Sequence, residues 1–271
     1  MHKSLLVLAL LTSACVVPIS ETQEMKDARV PVVPANPCES KSTGKCNYIN
    51  APVVLQSKPI RLKDRPLPFF RTAREIEFVD ARPNKWIAPR NTLTDGASIP
   101  KMFFKMIGAP RSKEFINAAT LHDAYCGVGN ENLPQYHSDI WQNVHRMFYD
   151  ALRVDGTPAT KAKIMYAAVY LAGPRWNMPG TAPKVRAVPG LMVVTAPLTK
   201  GPPNTPLPNL IPEDMLIKAM QEAILFINKT NPSLRRLEAY LRKSEQGMLA
   251  QVSKGAADGN QTSGPSESAA Y

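Results

Sequence analysis

Glu75-Ile76-Glu77-Phe78-Val79 alternates polar and apolar positions, the period of a strand with one buried face. Residues 67–70 and Lys85-Trp86-Ile87-Ala88 read as two further short strands, with Arg82-Pro83-Asn84 as the turn before the last. The three predict a small antiparallel sheet. Thr94-Asp95-Gly96-Ala97-Ser98-Ile99-Pro100 then leaves the sheet. Asp95-Gly96 is a turn pair, and Pro100 suits the first turn of whatever follows.

From here the apolar period lengthens to that of helices. The first helix is expected from about Ser112 or Lys113 to Cys126, with Phe115, Ala118, Ala119, Leu121, His122 and Tyr125 on its apolar side. Gly127 and Gly129 stop it. A second is expected from near Pro134 to about Leu152, on a stripe of Ile140, Val144 and Ala151. A third follows Pro158, small and apolar enough to be mostly buried, and ends at Gly173-Pro174. Pro212-Glu213-Asp214 opens a fourth with proline and two acids in its first turn. Asn231-Pro232 breaks that helix, and Ser233 caps a fifth. These last two form a hairpin, a partner-binding element, or a layer packed on the core.

The predicted fold is α+β: a small antiparallel sheet, a three-helix unit, and a C-terminal helical extension. The 26 prolines set the boundaries, because many fall where no period survives. Residues 16–59 read as a Pro-rich tether, 60–176 as the core domain and 177–211 as a Pro-rich linker. Residues 212–254 are the helical region, and 255–271, rich in Gly, Ser, Ala and Asn, a disordered tail.

Residues 1–15 form their own unit. His2 and Lys3 precede an apolar run over 5–11, too short to span a bilayer, and then Thr12-Ser13-Ala14-Cys15. Small residues ending in cysteine resemble a bacterial lipobox, which implies lipidation of Cys15 and a periplasm-facing lipid anchor. Thr12 stands where such motifs carry an aliphatic residue. Val16 rather than Asp after Cys15 points to the outer membrane, by resemblance to lipoprotein sorting. An exported chain can form disulfides, and Cys38 and Cys46 bracket a loop short enough for one. Net charge is +11, and residues 55–115 hold 13 Lys or Arg against 6 Asp or Glu. Such a face suits anionic envelope components, whereas export argues against nucleic acid.

Candidate chemistry gathers at the 94–100 turn and the His122-Asp123 pair. Adjacent helix residues diverge by about 100°, so these two side chains flank a cleft rather than pair. His122 is the candidate general base, with Cys126 and Tyr125 on its face. On the next helix His137, Trp141 and His145 share a stripe, and Asp139 shares the other with Asn143 and Arg146. Asp139 is the candidate that orients His122. Asp95 and Asp123 would bind a polar substrate group or a divalent metal. Each residue has a plainer reading: a core histidine, a turn-forming aspartate, a carboxylate meeting a backbone amide.

The Thr94–Pro100 turn, Ala118-Ala119 with His122-Asp123, Asp139, and Gly173 with Trp176 together resemble the bacterial and phage domain-of-unknown-function family 1353. The resemblance covers roughly residues 60–176 and departs at Tyr136-His137-Ser138. It implies a domain and a site but no activity. His122-Asp123-Ala124-Tyr125-Cys126 also resembles the His-Asp-x-Cys-Tyr helix of secreted phospholipase A2 enzymes, with Cys and Tyr exchanged. That likeness implies a water-activating His122, a calcium-binding Asp123 and an orienting Asp139.

Two functions are thus expected. In the first, an envelope lipoprotein carries a His/Asp hydrolytic site for phospholipid or cell wall. In the second, a non-enzymatic lipoprotein uses the Asp95 turn and the His122-Asp123 helix structurally or to bind a partner. Its C-terminal helices are then the candidate protein-binding surface.

Overall fold

The computed structural model describes residues 38, 46–63, 65, 67–96, 103, 115–177 and 204–261, the last six of these in backbone only. The signal region, Cys15, Ala97 to Pro100, the start of the first helix, most of the expected linker and the tail beyond 261 lie outside these residues. The fold is α+β. β1 (Asn47–Ile49), β3 (Ile76–Val79) and β4 (Lys85–Ala88) form an antiparallel sheet in the order β1-β3-β4. β2 (Phe70–Arg71) pairs antiparallel with β5 (Leu93–Thr94), Phe70 opposite Thr94.

Of the alternating residues over 75–79, Ile76 and Phe78 are fully buried, opposite Ala88 and Trp86, while Glu77 between them is also covered, where it pairs with Lys85. The β3–β4 turn closes on Asp80, whose Oδ1 accepts from the amides of Arg82 and Asn84 while Oδ2 accepts from Trp86 Nε1 at 3.0 Å. A side chain that binds backbone two and four residues on fixes a turn locally.

β1 corrects the tether boundary at residue 59. Three residues are too few to show a period, yet Tyr48 packs on Phe78 with ring centroids 5.0 Å apart. Its hydroxyl donates to Oδ2 of Asp155 at 3.0 Å. Cys46 is joined to the buried Cys38 by a disulfide. Isolated bridges Leu55–Thr72 and Ile60–Phe69 bring the next segment into the fold.

The helices are α1 (Ile116–Cys126), α2 (Trp141–Asp155), α3 (Ala159–Ala172), α4 (Glu213–Thr230) and α5 (Leu234–Gln261). Every residue of α1 from Asn117 to Cys126 is buried, because it packs against β3, β4 and β5 on one side and α2 on the other. That placement explains a helix without a polar face. α2 ends at Gly156, whose amide bonds the carbonyls of Leu152 and Arg153 and whose φ of 94° brings the Thr157 amide onto the Leu152 carbonyl at 3.0 Å. α2 begins at Trp141, later than the expected start near Pro134. Residues 131–140 instead make turns in which His137, at φ 54°, stacks on Trp176 with centroids 4.2 Å apart.

α4 and α5 pack on α3. The contact surface carries two matched polar clamps. Arg146 and Tyr166 both bond Glu238, and Arg175 and Tyr170 both bond Glu245. Glu238 and Glu245 are seven residues apart, two turns of one helix face, so one stripe of α5 meets both clamps. The helical region is therefore a layer on the core. It also continues to Gln261, past the expected boundary at 254. Within the expected linker, a 3-10 turn at Leu207–Asn209 buries Leu207, and Ile211 follows it inside.

Candidate functional site

The site forms where β5 meets the C-terminal half of α1. Thr94, the last residue of β5, directs its hydroxyl at the helix. Oγ1 donates to Oδ2 of Asp123 at 2.6 Å and accepts from the Gly96 amide at 3.1 Å. Gly96 then takes a left-handed φ of 96°, which glycine adopts without penalty. Asp123 is 2% exposed and Asp95 8%. Burial, and then the charge of Asp95, push the Asp123 carboxyl well above the usual carboxylate range. The Thr94 hydroxyl and then the charge of Arg65 oppose that rise. Two carboxylates so placed disfavour each other's ionisation, and it is the Asp123 carboxyl that is raised.

Asn130 fixes the spacing between β5 and α1. Its Oδ1 accepts from the Leu93 amide at 2.8 Å, and its Nδ2 donates to the Leu93 carbonyl at 2.8 Å and the Asp123 carbonyl at 2.9 Å. The side-chain amide thus serves as a strand partner for Leu93 and ties it to the last turn of α1. Gly127 lets the chain turn there. A Cβ on it would lie 2.7 Å from the Asp123 carbonyl oxygen and 2.8 Å from its Cα, a clash with backbone.

His122 faces the other way, toward α2. Its Nε2 lies 3.0 Å from Nδ1 of His145. Cys126 Sγ sits 3.6 Å from its Nδ1 and 3.5 Å from its Nε2, and donates to the His122 carbonyl at 3.3 Å. Phe148 packs against the ring at 5.1 Å. Burial lowers the His122 pKa to about 4, so the ring is neutral at pH 7. His145, fully buried, is lowered further by burial and then by the His122 and Arg175 charges, with the Pro174 carbonyl acting against them. Nε2 of His145 is buried without a hydrogen-bond partner of ordinary geometry. Burial, then the Asp123 charge, raise the Cys126 thiol well above its ordinary range, which disfavours a thiolate nucleophile.

The expected orienting role of Asp139 is corrected. Its Oδ1 accepts from the Ile140 amide at 2.7 Å and from Asn143 Nδ2 at 2.9 Å, at the entrance to α2. The nitrogen of His122 that a carboxylate would hold is taken by His145. Of the expected site residues, the fold brings Asp95 and Asp123 together, turns His122 away from them, and leaves Asp139 on another turn. Among the described residues no group of three or more His, Cys, Asp or Glu is arranged to hold a metal ion. Sequence reading overlooked Asn130, Arg65 and the pairing role of His145. The signal for Asn130 was its place after Gly127-Val128-Gly129, where the glycines read simply as a helix stop.

Residues 70–169 match a family model described as "Protein of unknown function (DUF1353)". The match runs from β2 into α3 and includes Thr94, Asp95, His122, Asp123, Asn130 and His145. The uncharacterised protein y4jT of Sinorhizobium fredii (strain NBRC 101917 / NGR234) is 36% identical over 113 residues, 42% of this chain and 31% of that protein. The uncharacterised protein y4iH of the same strain is 38% identical over 103 residues, 38% of this chain and 40% of that protein. The chain therefore spans less than half the length of either relative. No solved structure matches it.

Proposed function

We propose that the chain is a lipid-anchored protein of the bacterial outer membrane, facing the periplasm. In this reading its Asp95–Asp123 pair hydrolyses an envelope substrate, phospholipid or cell wall. The observation that supports it is the buried carboxylate pair, in which burial and then the Asp95 charge raise the Asp123 carboxyl while Thr94 occupies one of its oxygens. Asp95, the more accessible of the two, takes a proton from water as it attacks. Asp123 returns a proton from Oδ1, the oxygen that Thr94 leaves free, to the departing group. His122 does not act as the base here, because its ring nitrogens face His145 and Cys126. The anchor is Cys15, following the short apolar run of a secretory signal. Among the described residues no helix is long and apolar enough to cross a membrane.

A second reading is supported by the burial of Thr94, Asp123 and Asn130 in mutual hydrogen bonds. In it the same network holds the turn in place for a non-enzymatic lipoprotein.

Hydrolysis of radiolabelled phospholipid and of purified cell wall by the whole chain separates the two. The first reading expects turnover that Asp95→Asn and Asp123→Asn each abolish while His122→Gln retains it. Absence of turnover on both substrates, with Asp123→Ala melting well below wild type, supports the second.

A further inference from the structure

The small two-stranded layer beside the site carries positive charge that no ion pair among the described residues neutralises. Residues 46–74 contain six Lys or Arg against one acid, Asp64. Lys58, Arg61, Lys63, Arg65, Arg71 and Arg74 are all exposed. Among the described residues none of the six forms an ion pair. Arg71 Nη1 and Arg74 Nη2 donate to the carbonyls of Asn91 and Pro52, which fixes the side chains without cancelling their charge. The other sheet behaves differently, since Arg82 and Lys85 there pair with Asp80 and Glu77.

Backbone geometry gathers five of the six, and Arg74 follows where the Ala73 amide bonds the Val54 carbonyl. The chain over 55–72 doubles back through the Leu55–Thr72 and Ile60–Phe69 bridges, with the Gln56 amide on the Arg71 carbonyl. Its turn, closed by the Arg65 amide on the Leu62 carbonyl, lies over β5, for Leu62 and Leu93 both border Gly129. Arg61, Lys63 and Arg65 flank Leu62 on that turn. The charge of Arg65 reaches Asp123, so the basic surface adjoins the carboxylate pair.

We propose that this surface, Lys58, Arg61, Lys63, Arg65, Arg71 and Arg74, docks the domain on the anionic headgroups of a lipid bilayer, with the Asp95–Asp123 site at the contact edge. Charge complementarity selects an anionic partner. The aromatic residues within the patch select lipid over nucleic acid: Phe69 is buried and Phe70 half-buried, which leaves no exposed ring for a base to stack on. Clustered basic residues near a membrane surface add attraction residue by residue, and act together with a lipid anchor. The inference does not depend on hydrolysis.

The test is co-sedimentation of the whole chain with vesicles of phosphatidylglycerol and phosphatidylcholine, against vesicles of phosphatidylcholine alone. The patch variant is Lys58→Gln, Arg61→Gln and Lys63→Gln together. A charge-matched control replaces the exposed Lys218, Lys243 and Lys254 of the C-terminal helices by Gln. Expected is a preference for the anionic vesicles that 0.5 M salt removes, about tenfold or more weaker in the patch variant and changed less than about twofold in the control. Equal weakening in both variants, or no preference for anionic vesicles, overturns the proposal. So does a patch variant that loses duplex DNA binding but keeps vesicle binding. Asp95→Asn and Asp123→Asn should bind vesicles like wild type even if they abolish hydrolysis, so the docking and hydrolytic readings fail separately.

Discussion

Nε2 of His122 lies 3.0 Å from Nδ1 of His145, with both rings buried between α1 and α2. One of these nitrogens donates and the other accepts, so each ring dictates the tautomer of its neighbour. Protonating either would place a charge in the helix interface without solvent, beside a second imidazole and Arg175.

The pH dependence of stability follows from this pair. His122 has a folded pKa of about 4 against an ordinary 6.5, so between those values the unfolded chain binds more protons than the folded one. Its contribution is complete above pH 6.5 and is lost as pH falls toward 4, by about 3 kcal/mol at the lower end. His145 acts in the same direction. Urea denaturation between pH 7 and 4 should show this slope in wild type and a shallower one in His122→Gln. Identical slopes would mean that the imidazole is solvated in solution.

Asp123 carries the opposite sign. Its folded pKa is raised, so its contribution is greatest below the unfolded value of 3.8 and is lost as pH rises through the folded value. Asn in its place keeps an acceptor for Thr94 and removes the ionisation. Asp123→Asn should therefore gain on wild type in stability as pH rises from 5 to 8. Asp123→Ala, which strands the Thr94 hydroxyl, should cost about 1–3 kcal/mol. Denaturant midpoints for the three proteins across that range decide it, and a wild type that parallels Asp123→Asn throughout would place the carboxyl in ordinary solvent.

Asn130 is predicted to hold β5 more than any apolar contact there does. Asn130→Ala removes partners from the Leu93 amide, the Leu93 carbonyl and the Asp123 carbonyl, at a cost of about 1–3 kcal/mol. Asn130→Asp should be worse, because it turns an acceptor toward two carbonyl oxygens. Hydrogen exchange at the Leu93 amide is the local reading: it should accelerate in both variants beyond the change at the Phe78 amide in β3.

The elements that could be read ahead were those long enough to repeat. β3 and β4 followed from alternation about Ile76, Phe78 and Trp86, and α3 from an apolar run between Pro158 and Gly173. β1 and β5, three and two residues long, hold no period and exist through partners distant in sequence. At the site, the turn and Asp123 were legible as chemistry because polar residues there had no place in a simple apolar stripe. The partner of His122 was not. Helix phase puts His145 and Asp139 on different stripes, but the turns over 131–140 decide which stripe meets α1. Those turns depend on His137 stacking against Trp176, which the chain supplies 39 residues later.

The two clamps that hold α5 should differ in strength because they differ in solvent. The side chains of Arg175 and Glu245 are 0% and 1% exposed, whereas Arg146 is 43% exposed against 10% for Glu238. Glu245→Gln leaves the Arg175 guanidinium buried without its counter-charge, against the rings of Trp141 and Tyr170, and should cost about 3–5 kcal/mol. Arg146→Gln leaves Glu238 with the Tyr166 hydroxyl and should cost about 1 kcal/mol or less. Replacing Arg175 and Glu245 together by Met and Leu should recover much of the first loss, since no uncompensated charge then remains inside. Thermal melts give the energies, and limited proteolysis between α4 and α5 gives the structural reading. If Glu245→Gln and Arg146→Gln prove equally mild, α5 is held by its apolar stripe of Leu237, Leu241 and Met248 alone.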